Sequence, residues 1–167
     1  MSVLPIHRFP DALLKRPTRR VERIDHAVSQ LIQTLITTMR HHPRCVGLAA
    51  PQVGSSLRVA VMDSSRNPKT ASSQGLLVLV NPEIVEAEGG SIQREGCLSI
   101  PDFTGNVKRA TRVLVGAQDE AGHRREIALD GFEAIIAQHE IDHLDGTLFL
   151  DRVANTGTDV FRRKTYL

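Results

Sequence analysis

"QHEIDHLDG", residues 138–146, contains His139-Glu140-x-x-His143, and what completes this motif decides both the fold and the chemistry. On a helix, positions i and i+4 lie one turn apart on the same face, so both imidazoles can reach one ion. Glu140 then stands to one side, where it can take a proton from a bound water. A catalytic metal of this type uses three protein ligands and leaves one position open for that water, whose pKa falls to about 7. Phe132, Ile135 and Ile136 make the flank of the helix apolar, which turns the histidines into the fold. The plain alternative is a surface helix that happens to carry two histidines and a carboxylate, and the apolar flank argues against it.

The third ligand decides the class. The chain follows the protease template H-E-x-x-H-x-x-G-x-x-H as far as Gly146, then places Phe149 where the last histidine belongs. A second protease template needs a downstream glutamate, and none follows Glu140. Of the remaining candidates, His7, His26, His41, His42 and His123 sit in polar surroundings and are expected at the surface. The two cysteines suit the role better, because a thiolate is a strong soft ligand. Spacing alone does not choose between Cys45 and Cys97. Cys97 has the stronger local case: Glu95 can support a ligand from behind, and Gly96 leaves room beside the sulfur. The commoner fate of a free cysteine is a small buried hydrophobe.

Outward from the motif, the pattern predicts α+β. Asp25 is a plausible N-cap, and Val28, Leu31, Ile32, Leu35, Ile36 and Met39 recur at steps of three and four, with Pro43 as the stop. Residues 1–24 hold three prolines and read as an extended arm. "CVGLAAPQVG" (45–54) reads as a loop in close approach to something, and 63–75 as an exposed loop. Strands are expected at 57–62, 76–80 (stopped by Asn81-Pro82), 84–88, 95–101, 107–117 and 124–129, the last two joined by a hairpin turn at Asp119–Gly122. Asp130 is expected to cap the helix of the motif. Strands precede that helix instead of alternating with helices, which favours antiparallel sheets packed around a central C-terminal helix carrying HExxH, with one N-terminal helix.

At 167 residues and 41% apolar, residues 1–167 are expected to form one catalytic domain with its own core. Charges of both signs are interspersed, 21 basic against 19 acidic, which is far from the basic face of a nucleic-acid binder. No stretch reads as a signal peptide or membrane span, and two cysteines are too few for a disulfide scaffold. A cytoplasmic setting with reduced thiols is expected.

Three ordered segments, "CVGLAAPQVG", "EGCLS" (95–99) and "QHEIDHLDG", closely resemble the peptide deformylases. The likeness runs from "RFPDALLKRP" (8–17) through "LFLDR" (148–152). It implies that Cys97 joins His139 and His143 as a metal ligand and that Glu140 is the general base. It also implies that the Gln52 side-chain amide and the Leu98 backbone N–H hold the oxyanion, and that Gly47 keeps its backbone close to substrate. The implied cofactor is one divalent ion, typically Fe2+, with Zn2+, Ni2+ or Co2+ as substitutes. The implied substrate is the N-formyl-methionyl end of a nascent chain, met in transient contact with the ribosome and cut to formate and a free N-terminus. Val46, Glu95, Phe132, Ile135 and Ile136 are expected around the substrate, although the helix residues could equally be ordinary core.

Two departures stand out. Cys45 occupies a position where the first motif usually has glycine, and Asp102-Phe103-Thr104-Gly105 stands where many relatives carry an arginine. Relatives with a long C-terminal helix use it to approach the ribosome, and only 16 residues follow Asp151 here. The rival readings are an HExxH metallopeptidase and a deformylase-like protein with reduced or no turnover.

Overall fold

The structure is a computed structural model and describes residues 2–164. Its frame is an antiparallel five-stranded sheet of β1 (Gly47–Ala49), β2 (Val59–Met62), β3 (Leu77–Glu88), β6 (Arg112–Gln118) and β7 (Arg124–Asp130), in the order β1-β2-β3-β6-β7. A separate antiparallel sheet pairs β4 (Ser91–Cys97), β5 (Ile100–Arg109) and β8 (Val160–Arg162), in that order. The helices are α1 (His26–His41), α2 (Gly131–Leu144) and the single turn α3 (Phe149–Arg152). Among the described residues, no helix is long and apolar enough to cross a membrane.

β2 shows how alternation builds the layers. Val59 and Val61 face α1 and pack with Ile32, Leu35, Ile36 and Met39. Met62 turns to the opposite face, where Leu79, Val113, Val115, Ala134, Ile136, Ala137 and Ile141 pack together. The strand is therefore buried on both faces and reads as a continuous apolar run. α1 begins as its pattern predicts, with the Asp25 side chain accepting from the Val28 N–H at 3.0 Å. α2 differs from α1 in having no clear polar side: Glu133, Glu140, Asp142 and His143 are buried together with its apolar residues. That is the character of a helix held on several faces. A third cluster, with Leu14, Cys97, Ile100, Val107, Leu148 and Phe149, closes the three-stranded sheet.

Several sequence expectations are corrected. "CVGLAAPQVG" is not a plain loop: it forms β1 and a 3-10 turn, Ala50–Val53. Asn81-Pro82 does not stop a strand. β3 runs through it with shifts of register, because Asn81 adopts the left-handed region at φ 52 and its side chain holds Val21 by two hydrogen bonds of 2.8 Å. Residues 107–117 are two strands, since the chain crosses from one sheet to the other at Ala110-Thr111. The Gln138 side chain satisfies both polar groups of Ala110 at that crossing, at 3.0 and 2.9 Å, in place of a strand neighbour. Asp130 stands at the N-cap of α2 without a side-chain cap bond. The 63–75 loop is anchored, not simply exposed: Ser64 is buried, and the Glu133 carboxylate accepts from its hydroxyl at 2.8 Å and from the Gln74 N–H at 3.0 Å.

Candidate active site

β4 ends in Cys97, and the chain turns at Leu98-Ser99 into β5, which presents the sulfur to α2. Cys97 Sγ lies 3.3 Å from His143 Nε2. The possible ligand atoms of Cys97, His139 and His143 all lie within 4.8 Å of one another. Metal bonds of about 2.0–2.3 Å in tetrahedral geometry set ligand atoms roughly 3.3–3.6 Å apart, so the sulfur–nitrogen pair already has the spacing of two ligands on one ion. Glu140 Oε2 and His143 Nδ1 are buried without a hydrogen-bond partner. A carboxylate oxygen left bare beside a Cys-His-His set fits a group that should face a metal-bound water. The residues present therefore fit a divalent ion.

His139 is aimed from behind. Its Nδ1 is 2.8 Å from Glu95 Oε1, which leaves Nε2 for the cluster. Glu95 lines the cleft, but both its oxygens are also held by Arg109 through Nε and Nη2, at 2.7 and 2.9 Å. Arg109 Nη1 donates to Asp142 Oδ2 at 2.6 Å, and Arg152 makes two further bonds to the Asp142 carboxylate, at 2.5 and 2.7 Å. A chain of alternating charge thus runs from Arg152 to His139 and locks β4, β5 and α2 together. Burial alone would raise the Glu95 pKa, but hydrogen bonds from Arg109 and His139 outweigh it and hold the carboxyl at about 2. Burial likewise pushes the Cys97 thiol up, and the two neighbouring imidazoles bring it well below its ordinary value, toward the thiolate a metal needs. Burial raises the Glu140 carboxyl to about 7.

The first motif supplies the facing wall. A Cβ on Gly47 would collide with the Glu140 carboxylate and come 2.9 Å from its Cγ, so only glycine lets β1 pack against Glu140 as it stands. Gln52 is buried; its Oε1 accepts from the Ala49 N–H at 3.0 Å. Its Nε2 lies 3.1 Å from Ser99 Oγ and 3.5 Å from Cys97 Sγ, at the edge of the Cys-His-His cluster. Cys45 is accommodated as a neutral thiol. Burial and then the Glu140 charge push its pKa up to about 12, and Sγ donates to the Gly47 carbonyl at 3.1 Å.

These groups open into a cavity of about 780 Å³ lined by Val46, Gly47, Gln52, Glu95, Cys97, Leu98, Phe132, Ile135, Ile136, His139 and Glu140. Every sequence-predicted site residue except His143, buried beneath the others, lines it. Phe132 and Ile136 also pack in the core, so the helix flank serves both purposes. Sequence reasoning missed Arg109, Asp142 and Arg152. Asp142 alone had a signal, a carboxylate inside the motif helix one residue before His143. Phe103–Gly105, the stretch where the resemblance led to an arginine being expected, pairs with β8, and the residue after that strand, Arg163, reaches the cavity.

Comparison with known proteins is consistent along the whole chain. A family model described as Polypeptide deformylase matches residues 3–159. A peptide deformylase of Thermodesulfovibrio yellowstonii is 42% identical over 164 residues, 98% of this chain and 97% of the relative. Among solved structures, a peptide deformylase from Thermotoga maritima superposes with TM-score 0.84 at 36% identity, covering 93% of this chain and 100% of its own. A class I type b peptide deformylase from Acinetobacter baumannii, solved with Met-Ala-Ser bound, gives TM-score 0.84 at 37% identity, covering 91% of this chain and 99% of its own.

Proposed function

The chain belongs to the peptide deformylase family, and from that premise we propose which of its residues carry the reaction. It is an enzyme that removes the N-formyl group from the N-terminal formyl-methionine of newly synthesised proteins, releasing formate. Cys97, His139 and His143 are the ligands of its one divalent ion. The observation that carries this is the convergence of their ligand atoms beside the bare Glu140 oxygen. Thiolate with two imidazoles serves iron, zinc, nickel and cobalt alike, and ferrous iron is the proposed native ion. Bound there, the ion supplies Lewis acidity and an activated water at neutral pH.

Glu140 takes the proton of the attacking water and passes it to the amine nitrogen as the C–N bond breaks. Formate and a free N-terminus leave. Gln52 Nε2 and the Leu98 N–H face the oxyanion, each such donor worth roughly 3–4 kcal/mol in the transition state. Val46, Phe132, Ile135 and Ile136 wall the unbranched methionine side chain, and the neighbour solved with Met-Ala-Ser supports a peptide beginning with methionine. Glu95 keeps His139 in one tautomer and orientation instead of touching substrate. The substrate is presented in the cytoplasm as a nascent chain, in transient contact with the ribosome.

The test is formate release from formyl-Met-Ala-Ser against cleavage of the acetylated peptide. Only the formyl peptide should turn over. Glu140→Gln should lower turnover by about 10²–10⁴ while the metal content stays near one per chain. Equal cleavage of the acetyl peptide would sink the substrate assignment, and formate release surviving in E140Q would sink the role of Glu140.

A further inference from the structure

The cavity mouth is cationic. Arg44, Lys69, Arg94 and Arg163 line it, and the only carboxylates among its described lining residues are the buried Glu95 and Glu140. Two of these cations are already engaged. Lys69 Nζ sits 5.7 Å over the Phe132 ring. Arg94 stacks 3.5 Å from the Phe161 ring centroid and donates to Asn106 at 2.9 Å. Arg163 is held differently. Its N–H donates to the Asp102 carbonyl at 2.8 Å, extending the β5–β8 pairing by one residue. Its exposed side chain lies over Gly96, immediately before the ligand Cys97. A Cβ at position 96 would collide with the guanidinium, so this glycine lets a cation lie against β4 beside the metal cluster.

We propose that Arg163 is a substrate-positioning residue, whose guanidinium donates to the main-chain carbonyl of the residue following formyl-methionine. The inference rests on the deformylase reading and adds a contact to it. With its formyl carbon at the cluster and its methionine side chain against Val46 and Ile136, a substrate on this reading runs out past Gly96, an exposed residue of the cavity lining. Each further residue carries it about 3.3 Å along an extended path. Side chains beyond methionine differ between nascent chains, but each residue offers one carbonyl. A planar fork of fixed donors suits that acceptor better than a point charge.

Formate release is measured for formyl-Met-Ala-Ser, the same peptide as its C-terminal amide, and formyl-Met amide. In the unaltered enzyme both tripeptides should have the higher kcat/KM. Arg163→Ala should raise KM for both tripeptides about tenfold with kcat retained, the worth of one charge-assisted hydrogen bond, and shrink their advantage accordingly. Arg163→Gln, which keeps the stem and two donors, should restore part of it. A KM ratio the same as in the unaltered enzyme, a loss in kcat alone, or a loss confined to the free-carboxylate peptide would each overturn the proposal. No formate from any substrate with the unaltered enzyme would overturn the deformylase reading instead, and this inference with it.

Discussion

Arg109 is 3% exposed, and its guanidinium is shared between two carboxylates that are themselves buried. Such an arrangement gains little over an apolar core, but removing one partner leaves uncompensated charge. Arg109→Met should therefore cost about 3–5 kcal/mol, chiefly through Glu95, because Arg152 still holds Asp142. For a chain of this size the midpoint of thermal unfolding should fall by roughly 6–20 °C. Metal affinity should fall about 10–100-fold, since His139 loses its fixed backing. Calorimetry with metal titration checks both, and unaltered affinity would show that Glu95 orients His139 without Arg109. Gly47→Ala probes the opposite wall. Its Cβ must displace Glu140, so formate release should fall about 100-fold while metal content is kept. A G47A enzyme with full activity would remove Gly47 from the argument. His139, Glu140 and His143 were legible as a candidate site because their spacing on one helix is itself the chemistry, whereas Cys97, on β4, was assigned as a ligand only through the resemblance. Arg109 was not legible, because its role comes from three elements meeting and nothing in its neighbourhood, "VKRAT", marks it.

At the scale of elements, legibility followed burial. α1 and the doubly buried β2 announce themselves by period, whereas "SIQREG" in β4 is half-exposed and mostly polar, so only its end was recognised as extended. The two-strand nature of 107–117 was hidden for another reason. No glycine or proline marks the crossing at Ala110-Thr111, because a side chain 28 residues away, Gln138, satisfies the backbone there. Asn81 misled in the opposite direction. Asn-Pro reads as a stop, yet the left-handed Asn81 makes a bulge whose amide also bonds Gln118 at 3.0 Å. Asn81→Ala should destabilise by about 3–5 kcal/mol, from the buried Val21 N–H and C=O left unpaired and the cost of a left-handed alanine. Chemical denaturation measures this. Limited proteolysis should give a first cut within residues 1–24, because Val21 is what the side chain holds. A cut appearing first in the 63–75 loop would mean that the arm is secured elsewhere.

Across the whole molecule, the proposed metal ligands span two core clusters that the Arg109 ion pairs also tie. Cys97 belongs to the three-stranded sheet and its cluster, while α2, with His139 and His143, packs on the five-stranded sheet. The sequence predicted antiparallel sheets around this helix, but their division into two sheets depends on pairings that no local pattern encodes. A metal bound across the division stabilises only the folded chain, by about 4 kcal/mol at a free concentration a thousandfold above Kd. Chelation should accordingly lower the unfolding midpoint by roughly 8–16 °C, and re-addition of one metal equivalent should restore it. Hydrogen exchange should quicken more in β4 and β5 than in β2 and β3, which keep the α1 packing of Val59, Val61, Val78 and Val80 on one face whatever happens at α2. Cys97→Ala separates this linkage from simple loss of packing. The variant should unfold at one temperature with or without chelator, because the remaining imidazoles sit on the same helix and cannot tie the sheets together. A C97A protein whose midpoint still fell on chelation, or an unaltered protein indifferent to it, would mean that the two sheets are held by the Arg109 ion pairs and apolar packing alone.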